Sequence, residues 1–179
     1  MRGGVEIRVK SNLGYEGEKV QPKLLFALMT IYFYHIDHPY GCFSNFSRHG
    51  FHLAGCYWPT AEHYYQAQKF INTGHAYLSQ RIQLAPTPGE AAQIGRDPRH
   101  PLRPDWEKVK LEVMYAAIQA KFQTHSDIRG ILLGTGEEDL VENSPVDSFW
   151  GCGANGNGSN HLGRLLMQLR QELRQENSP

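Results

Sequence analysis

The strands and helices legible in this sequence predict one α+β domain, helix-rich, with a small β-sheet. Three observations carry that prediction. The length, 179 residues, suits a single domain with a real core. Short aromatic or alternating segments at Ile31–His35, Phe51–Tyr57 and Asp139–Glu142 read as strands. After Phe70 the apolar spacing is mostly helical.

From the N-terminus, residues 1–23 are Gly-rich and mixed in charge, and Val5–Val9 alternates like a strand or forms a loose extension. Lys19 and Lys23 precede an apolar run, Leu24–Tyr34, which superficially resembles a signal peptide. The run is too short to span a bilayer and no small-residue cleavage site follows, so it reads as core. Tyr40–Phe46 is a loop with Gly41 and Asn45, and Phe51–Tyr57 is a hairpin arm around Gly55.

The stretch Tyr57–Phe70 (YWPTAEHYYQAQKF) carries the most chemistry. Pro59 lacks an N–H and holds Trp58 extended, which ends a strand there. Thr60 then serves as N-cap. Ala61, Tyr64, Ala67 and Ile71 form one buried helical face; Glu62, Gln66 and Lys69 fall at i, i+4 and i+7 on the opposite face. That stripe is either a solvated face or one wall of a site, and the flanking Tyr65 and Phe70 favour the site.

Thr87-Pro88-Gly89-Glu90 has capping-box chemistry, and Gly95 closes its short helix. Asp105–Thr124 is the strongest helix. Trp106, Val109, Val113, Ala117 and Ala120 form one apolar stripe; Leu111, Tyr115, Ile118 and Phe122 form another. Two such stripes predict a central helix covered on two sides. Ile128–Leu133 is a short helix stopped by Gly134. After the Asp139–Glu142 strand, a Gly/Asn loop leads through Asn160, a candidate N-cap, into a final amphipathic helix through Leu162, Leu165, Leu166, Leu169 and Leu173.

Eighteen basic and eighteen acidic residues cancel, which excludes a generic duplex-DNA binder but leaves room for a local basic groove. Three cysteines without a C-x-x-C spacing argue against a disulfide framework and for a reducing, intracellular, cytoplasmic setting. His35-x-x-His38 with Cys42 lacks a second ligand pair, so no metal is assigned. No cofactor, membrane contact or obligate protein partner is called for.

Other segments carry candidate chemistry. The loop Trp150–Asn160 (WGCGANGNGSN) is either a phosphate cradle or an ordinary long turn; it lacks the Lys-Ser/Thr pair of a P-loop. Asp147, near Phe149 and Trp150, is either a partly desolvated acid or a turn cap. Arg96 and Arg103 can each clamp a phosphate or pair with a carboxylate. Trp106 is core or a stacking face for a base. Ser44 and Cys152 have no partner His at motif spacing.

Five segments together resemble the NADAR (YbiA-like) family of N-glycosidases. They are CFSNFS at 42–47, WPTAEHYYQAQKF at 58–70, IGRD at 94–97, LRPDWEKVK at 102–110 and the run from Leu140 to Leu173. They occur in the family's order and cover roughly residues 31–173. On this division residues 31–175 form the family domain, and residues 1–30 are an extension outside the resemblance.

The resemblance implies a compact, helix-rich α+β fold. It also implies cleavage between a ribose anomeric carbon and a base or amine nitrogen. The implied substrates are ADP-ribose on guanine in nucleic acid, or ribosylated riboflavin-pathway intermediates. Glu62, Trp106 and Asp147 match the family's functional positions, and Lys69 matches a lysine implicated in a Schiff-base route.

Such chemistry needs carboxylates near the sugar and a proton donor near the base. Glu62 and Asp147 are candidates for both roles, in either order. Lys69 is the candidate nucleophile, which requires an amine with a lowered pKa. Ser44, Asn45 and Asn160 are candidate ribose contacts. Arg96, Arg103 and the loop with Gly151 and Gly153 are candidate phosphate contacts, and Trp106 and Trp150 candidate walls. The expected partners are ADP-ribose or a ribosyl-phosphate, including ADP-ribosylated single-stranded nucleic acid. A non-catalytic ADP-ribose reader is the rival reading; it needs no Glu62–Lys69 pair.

Overall fold

A computed structural model describes residues 29–176. The strand-like Val5–Val9 and the start of the Leu24–Tyr34 run lie outside the described residues.

Two small sheets flank the helices. Strand β1 (Thr30–Phe33) pairs in parallel with β4 (Asp139–Glu142), with Ile31 opposite Leu140 and Phe33 opposite Glu142. β1 stops before Tyr34, shorter than the Ile31–His35 reading. β2 (Phe51–Leu53) and β3 (Cys56–Trp58) form a hairpin turned by Ala54 and Gly55, both at positive φ. Two left-handed residues match the right-handed twist of the paired strands.

Six helices follow the spacing of the sequence: α1 (Ala61–Gln68), α2 (Tyr77–Gln83), α3 (Pro88–Gly95), α4 (Trp106–Thr124), α5 (Ser126–Gly134) and α6 (His161–Glu176). The Thr60 hydroxyl caps α1 by accepting from the His63 amide, and the Thr87 hydroxyl caps α3 by accepting from the Glu90 amide. α5 begins two residues before Ile128, the start read from the sequence.

Helix α4 is central, packing on α1, β2, α5 and α6. Its most buried residues come from both predicted stripes, joined by Met114 and by Lys121, which is wholly buried. The Lys121 ammonium donates to the carbonyls of Cys42 and Ser44 and so fixes the loop before β2. Burial pushes the Lys121 pKa down to about 7.

Helix α1 packs on α2, α3 and α4, and all eight of its residues are buried. The face opposite Ala61, Tyr64 and Ala67 therefore meets protein or a cavity rather than bulk water.

Candidate active site

Glu62, Gln66 and Lys69 line a cavity of about 490 Å³ and are 2%, 1% and 8% exposed. The solvated-face alternative fails on these values. The loop after the 3₁₀ turn Gly41–Phe43 contributes Ser44 and Asn45, the end of β4 contributes Glu142, and the turn that follows contributes Asp147 and Trp150. The acid and amine of α1 thus share one cavity with the acid of the distant Ser-Pro-Val-Asp turn.

Glu62 is held on both oxygens. Its Oε1 accepts from the Gln66 amide at 2.8 Å, and its Oε2 accepts from the Asn45 amide at 3.1 Å. Its backbone N–H also donates to the Asn45 carbonyl, so Asn45 fixes Glu62 twice. The guanidinium of Arg96, largely exposed at the cavity rim, lies 3.6 Å from Oε1.

Lys69 stands just past the end of α1. Its ammonium donates to the Gly95 carbonyl at 3.0 Å and lies 5.5 Å from the Tyr65 ring centre and 5.7 Å from that of Trp106. Burial lowers its pKa to about 8, against the opposing charge of Glu62 and with help from Arg96. Roughly a tenth of such an amine is neutral at pH 7. Burial and the Glu62 charge hold the Tyr65 phenol well above its usual pKa, so it stays protonated.

Asp147 takes its turn-cap alternative and also borders the cavity. Its Oδ1 caps a turn by accepting from the amides of Phe149 and Trp150 at 2.9 and 2.8 Å, and the residue lines the cavity.

Four buried side-chain polar atoms among the described residues lack a hydrogen-bond partner, and three sit on this cavity: Asn45 Oδ1, Gln66 Oε1 and Glu142 Oε2. Such orphans are rare in folded proteins unless a ligand or water completes them. Three unpaired acceptors thus border one cavity, where a ligand or water can complete them.

Other sequence candidates are spent elsewhere. Arg103 takes its carboxylate alternative, gripping Asp105 through two donors away from the cavity. Trp106 is core, packed behind Tyr65 with ring centres 5.0 Å apart; it backs the Lys69 amine without lining the cavity. Asn160 does not line the cavity. Its amide nitrogen donates to the Leu140 carbonyl and its Oδ1 accepts from the Glu142 amide, stapling β4 to the start of α6.

The glycine-rich loop is partly bonded to itself and to its neighbours. The amides of Cys152, Gly156, Gly158, Ser159 and Asn160 all donate to nearby carbonyls. Its glycines serve close packing: a Cβ on Gly151 would stand 2.6 Å from the Glu142 carbonyl oxygen, and one on Gly158 would stand 2.5 Å from that of Gly151. Gly153 instead borders a neighbouring groove of about 460 Å³, which shares Tyr34 and His35 with the main cavity.

Sequence reasoning passed over Glu142. It is 9% exposed, and burial, reinforced by the charges of Asp147 and Glu62, pushes its pKa up to about 8. The available signal was its phase: in β4 it falls two residues after the buried Leu140, on the inward side.

The NADAR domain family matches residues 32–174. The N-glycosidase Npun_R5314 of Nostoc punctiforme is 58% identical over 82% of this chain and 94% of its own length. The N-glycosidase YbiA of Escherichia coli is 45% identical over 80% of this chain and 88% of its own. The NMR structure of YbiA superposes with a TM-score of 0.76, covering 83% of this chain and 87% of that one. The chloroplastic riboflavin biosynthesis protein PYRR of Zea mays is 47% identical over 80% of this chain but only 25% of its own length. The chain belongs to the NADAR domain family and is an enzyme of the N-glycosidase type.

Proposed function

We propose that this enzyme hydrolyses the bond between C1′ of a ribose and the nitrogen of a base, with ADP-ribose on guanine in single-stranded nucleic acid as its substrate. The observation that carries the reading is the buried Lys69 amine, its pKa lowered to about 8, in one cavity with Glu62 and Asp147. A structural lysine needs neither two acids nor a cavity.

The neutral Lys69 amine attacks C1′, and the C1′–N bond breaks with its electron pair on the base nitrogen, which takes a proton. The sugar ring then opens: the C1′–O4′ bond breaks, O4′ takes a proton from the Lys69 nitrogen, and an iminium links Lys69 to C1′. Water adds to C1′ and expels Lys69, leaving the free sugar. The Glu62 charge stabilises the positive charge that builds at C1′, and Glu62 and Asp147 share the acid and base work. The orphan Oδ1 of Asn45 suits a ribose hydroxyl. Arg96 at the rim suits a phosphate, and the adjoining groove past Tyr34 and His35 gives a ligand as long as ADP-ribose somewhere to lie.

The second reading, a ribosylamino-pyrimidine phosphate of the riboflavin route, draws on the name of the maize relative. Both readings place the reaction in a reducing cytoplasm, in keeping with free Cys42, Cys56 and Cys152. No helix among the described residues is long and apolar enough to cross a membrane.

The test is incubation of the enzyme with an oligonucleotide bearing ADP-ribosyl guanine and, separately, with the pyrimidine substrate, followed by chromatography. Release of ADP-ribose from the first, with borohydride trapping of the sugar on Lys69, is the expected result. Trapping that survives Lys69→Ala, or release of no base from either substrate, overturns the proposal.

A further inference from the structure

Glu142 has no role in the mechanism above, yet it is the third carboxyl of the cavity. Its backbone is fixed from two sides: its amide donates to Asn160 Oδ1, and its carbonyl accepts from the Cys152 amide. Among the described residues no donor bonds its side chain, and Oε2 is buried without a partner. The titratable and charged groups that share its cavity are Glu62 and Tyr65 of α1, Lys69 just past its end, Arg96 after α3, Tyr34 and His35 after β1, and Asp147 in the following turn.

The contrast with the other two acids is geometric. Glu62 accepts amide hydrogen bonds on each oxygen, and Asp147 accepts two on Oδ1. Donors aimed at a carboxyl favour its acceptor form. A buried carboxyl with an empty side and two acids nearby is in the opposite situation: the proton stays on, and the O–H can be offered to a ligand.

We propose that Glu142, in place of Glu62 or Asp147, is the proton donor to the departing nitrogen, which leaves those two as the charged partners of the sugar. The assignment rests on the N-glycosidase reading given above. As the C1′–N bond breaks, the Glu142 carboxyl gives its proton to the base nitrogen and becomes a carboxylate. When water later attacks the iminium carbon, that carboxylate takes a proton from the water and is restored. The raised pKa of Glu142 accords with the need to hold a proton at neutral pH.

The test compares two leaving groups. A guanine or aminopyrimidine must be protonated to leave; a pyridinium base, as in a ribosyl nicotinamide, leaves neutral with the bonding pair and needs no proton. Measured as the burst of base release in a single turnover, before the iminium is hydrolysed, Glu142→Gln should slow the first class about 100-fold or more and nicotinamide by less than about 5-fold. Retention of the nicotinamide rate shows that the variant is folded and that Lys69 still attacks.

The wild-type enzyme gives an independent reading, which serves if the variant folds poorly. The ratio of the guanine rate to the nicotinamide rate should fall as pH rises through about 8. Taking the ratio cancels the opposite titration of Lys69. Equal slowing of both substrates by E142Q, unchanged rates on both, or a pH-independent ratio in the wild type overturns the assignment of Glu142. Failure of the wild-type enzyme to cleave either substrate instead overturns the N-glycosidase reading itself.

Discussion

Lys69 and Gly95 meet across the α1–α3 interface, the lysine ammonium donating to the glycine carbonyl at 3.0 Å. The same glycine also faces Gln66, the residue that holds Glu62. A Cβ at position 95 would stand 2.1 Å from Gln66 Oε1 and 2.7 Å from Gln66 Cβ. One small residue therefore sets the position of both the amine and the carboxylate.

Gly95→Ala should push the Gln66 side chain away from Glu62 and shift the carbonyl that holds Lys69. The expected outcome is a fall in kcat of about 10-fold or more, with a loss of stability of about 1–3 kcal/mol from overpacking. Steady-state kinetics and thermal unfolding of the same preparation check both.

Lys69→Met should abolish turnover while stabilising the fold at neutral pH. The folded-state pKa of Lys69, about 8, lies below its usual 10.5. Below pH 8 the amine is charged in both states, and its burial costs stability in full. Between pH 8 and 10.5 the unfolded chain keeps a proton that the folded chain has released, so wild-type stability rises relative to the variant. The stability advantage of K69M should be on the order of 2 kcal/mol at pH 7 and shrink across that window. Urea unfolding from pH 6 to 10 measures it, and a constant gap would contradict the buried-amine account.

Glu62→Gln replaces an acceptor by a group that brings a third NH2 into a cluster already holding those of Asn45 and Gln66. At least one donor pair must then face each other or turn away. Activity should drop about 100-fold, and stability should fall by about 1–3 kcal/mol from an unsatisfied buried group. A variant with full activity would remove Glu62 from the reaction.

Asn160→Ala separates a structural role from a sugar contact. Its amide bridges the Leu140 carbonyl and the Glu142 N–H. Loss of both bonds should lower stability by about 1–3 kcal/mol. Because the end of β4 loosens, kcat should fall more than KM rises. An effect confined to KM with an unchanged melting temperature would restore the ribose-contact reading.

What was legible in the sequence is what local chemistry decides. Thr60 and Thr87 announced two helix starts, Gly55 a hairpin, and the 62-66-69 spacing a shared helical face. Partner choice was not legible, because it depends on what the fold brings near. Arg103 found Asp105 two residues on rather than a phosphate. Asn160 found a strand edge. Glycine density in residues 151–158 signals either anion binding or close backbone packing, and the packing of Gly151 on Glu142 and of Gly153 on Ser148 shows only in the fold. Glu142 was overlooked because a lone acid in a four-residue strand looks solvated until its neighbours are known.

The parallel pairing of β1 with β4 has a consequence for synthesis. Tyr34 and His35 leave the ribosome early, whereas the strand that aligns them, along with Glu142 and Asp147, emerges only after five of the six helices. A nascent chain can assemble α1 to α4 and still have no finished catalytic pocket. Closing this long-range pair is the kind of step that slows folding, and competence for turnover should arrive late and abruptly as β4 and α6 dock.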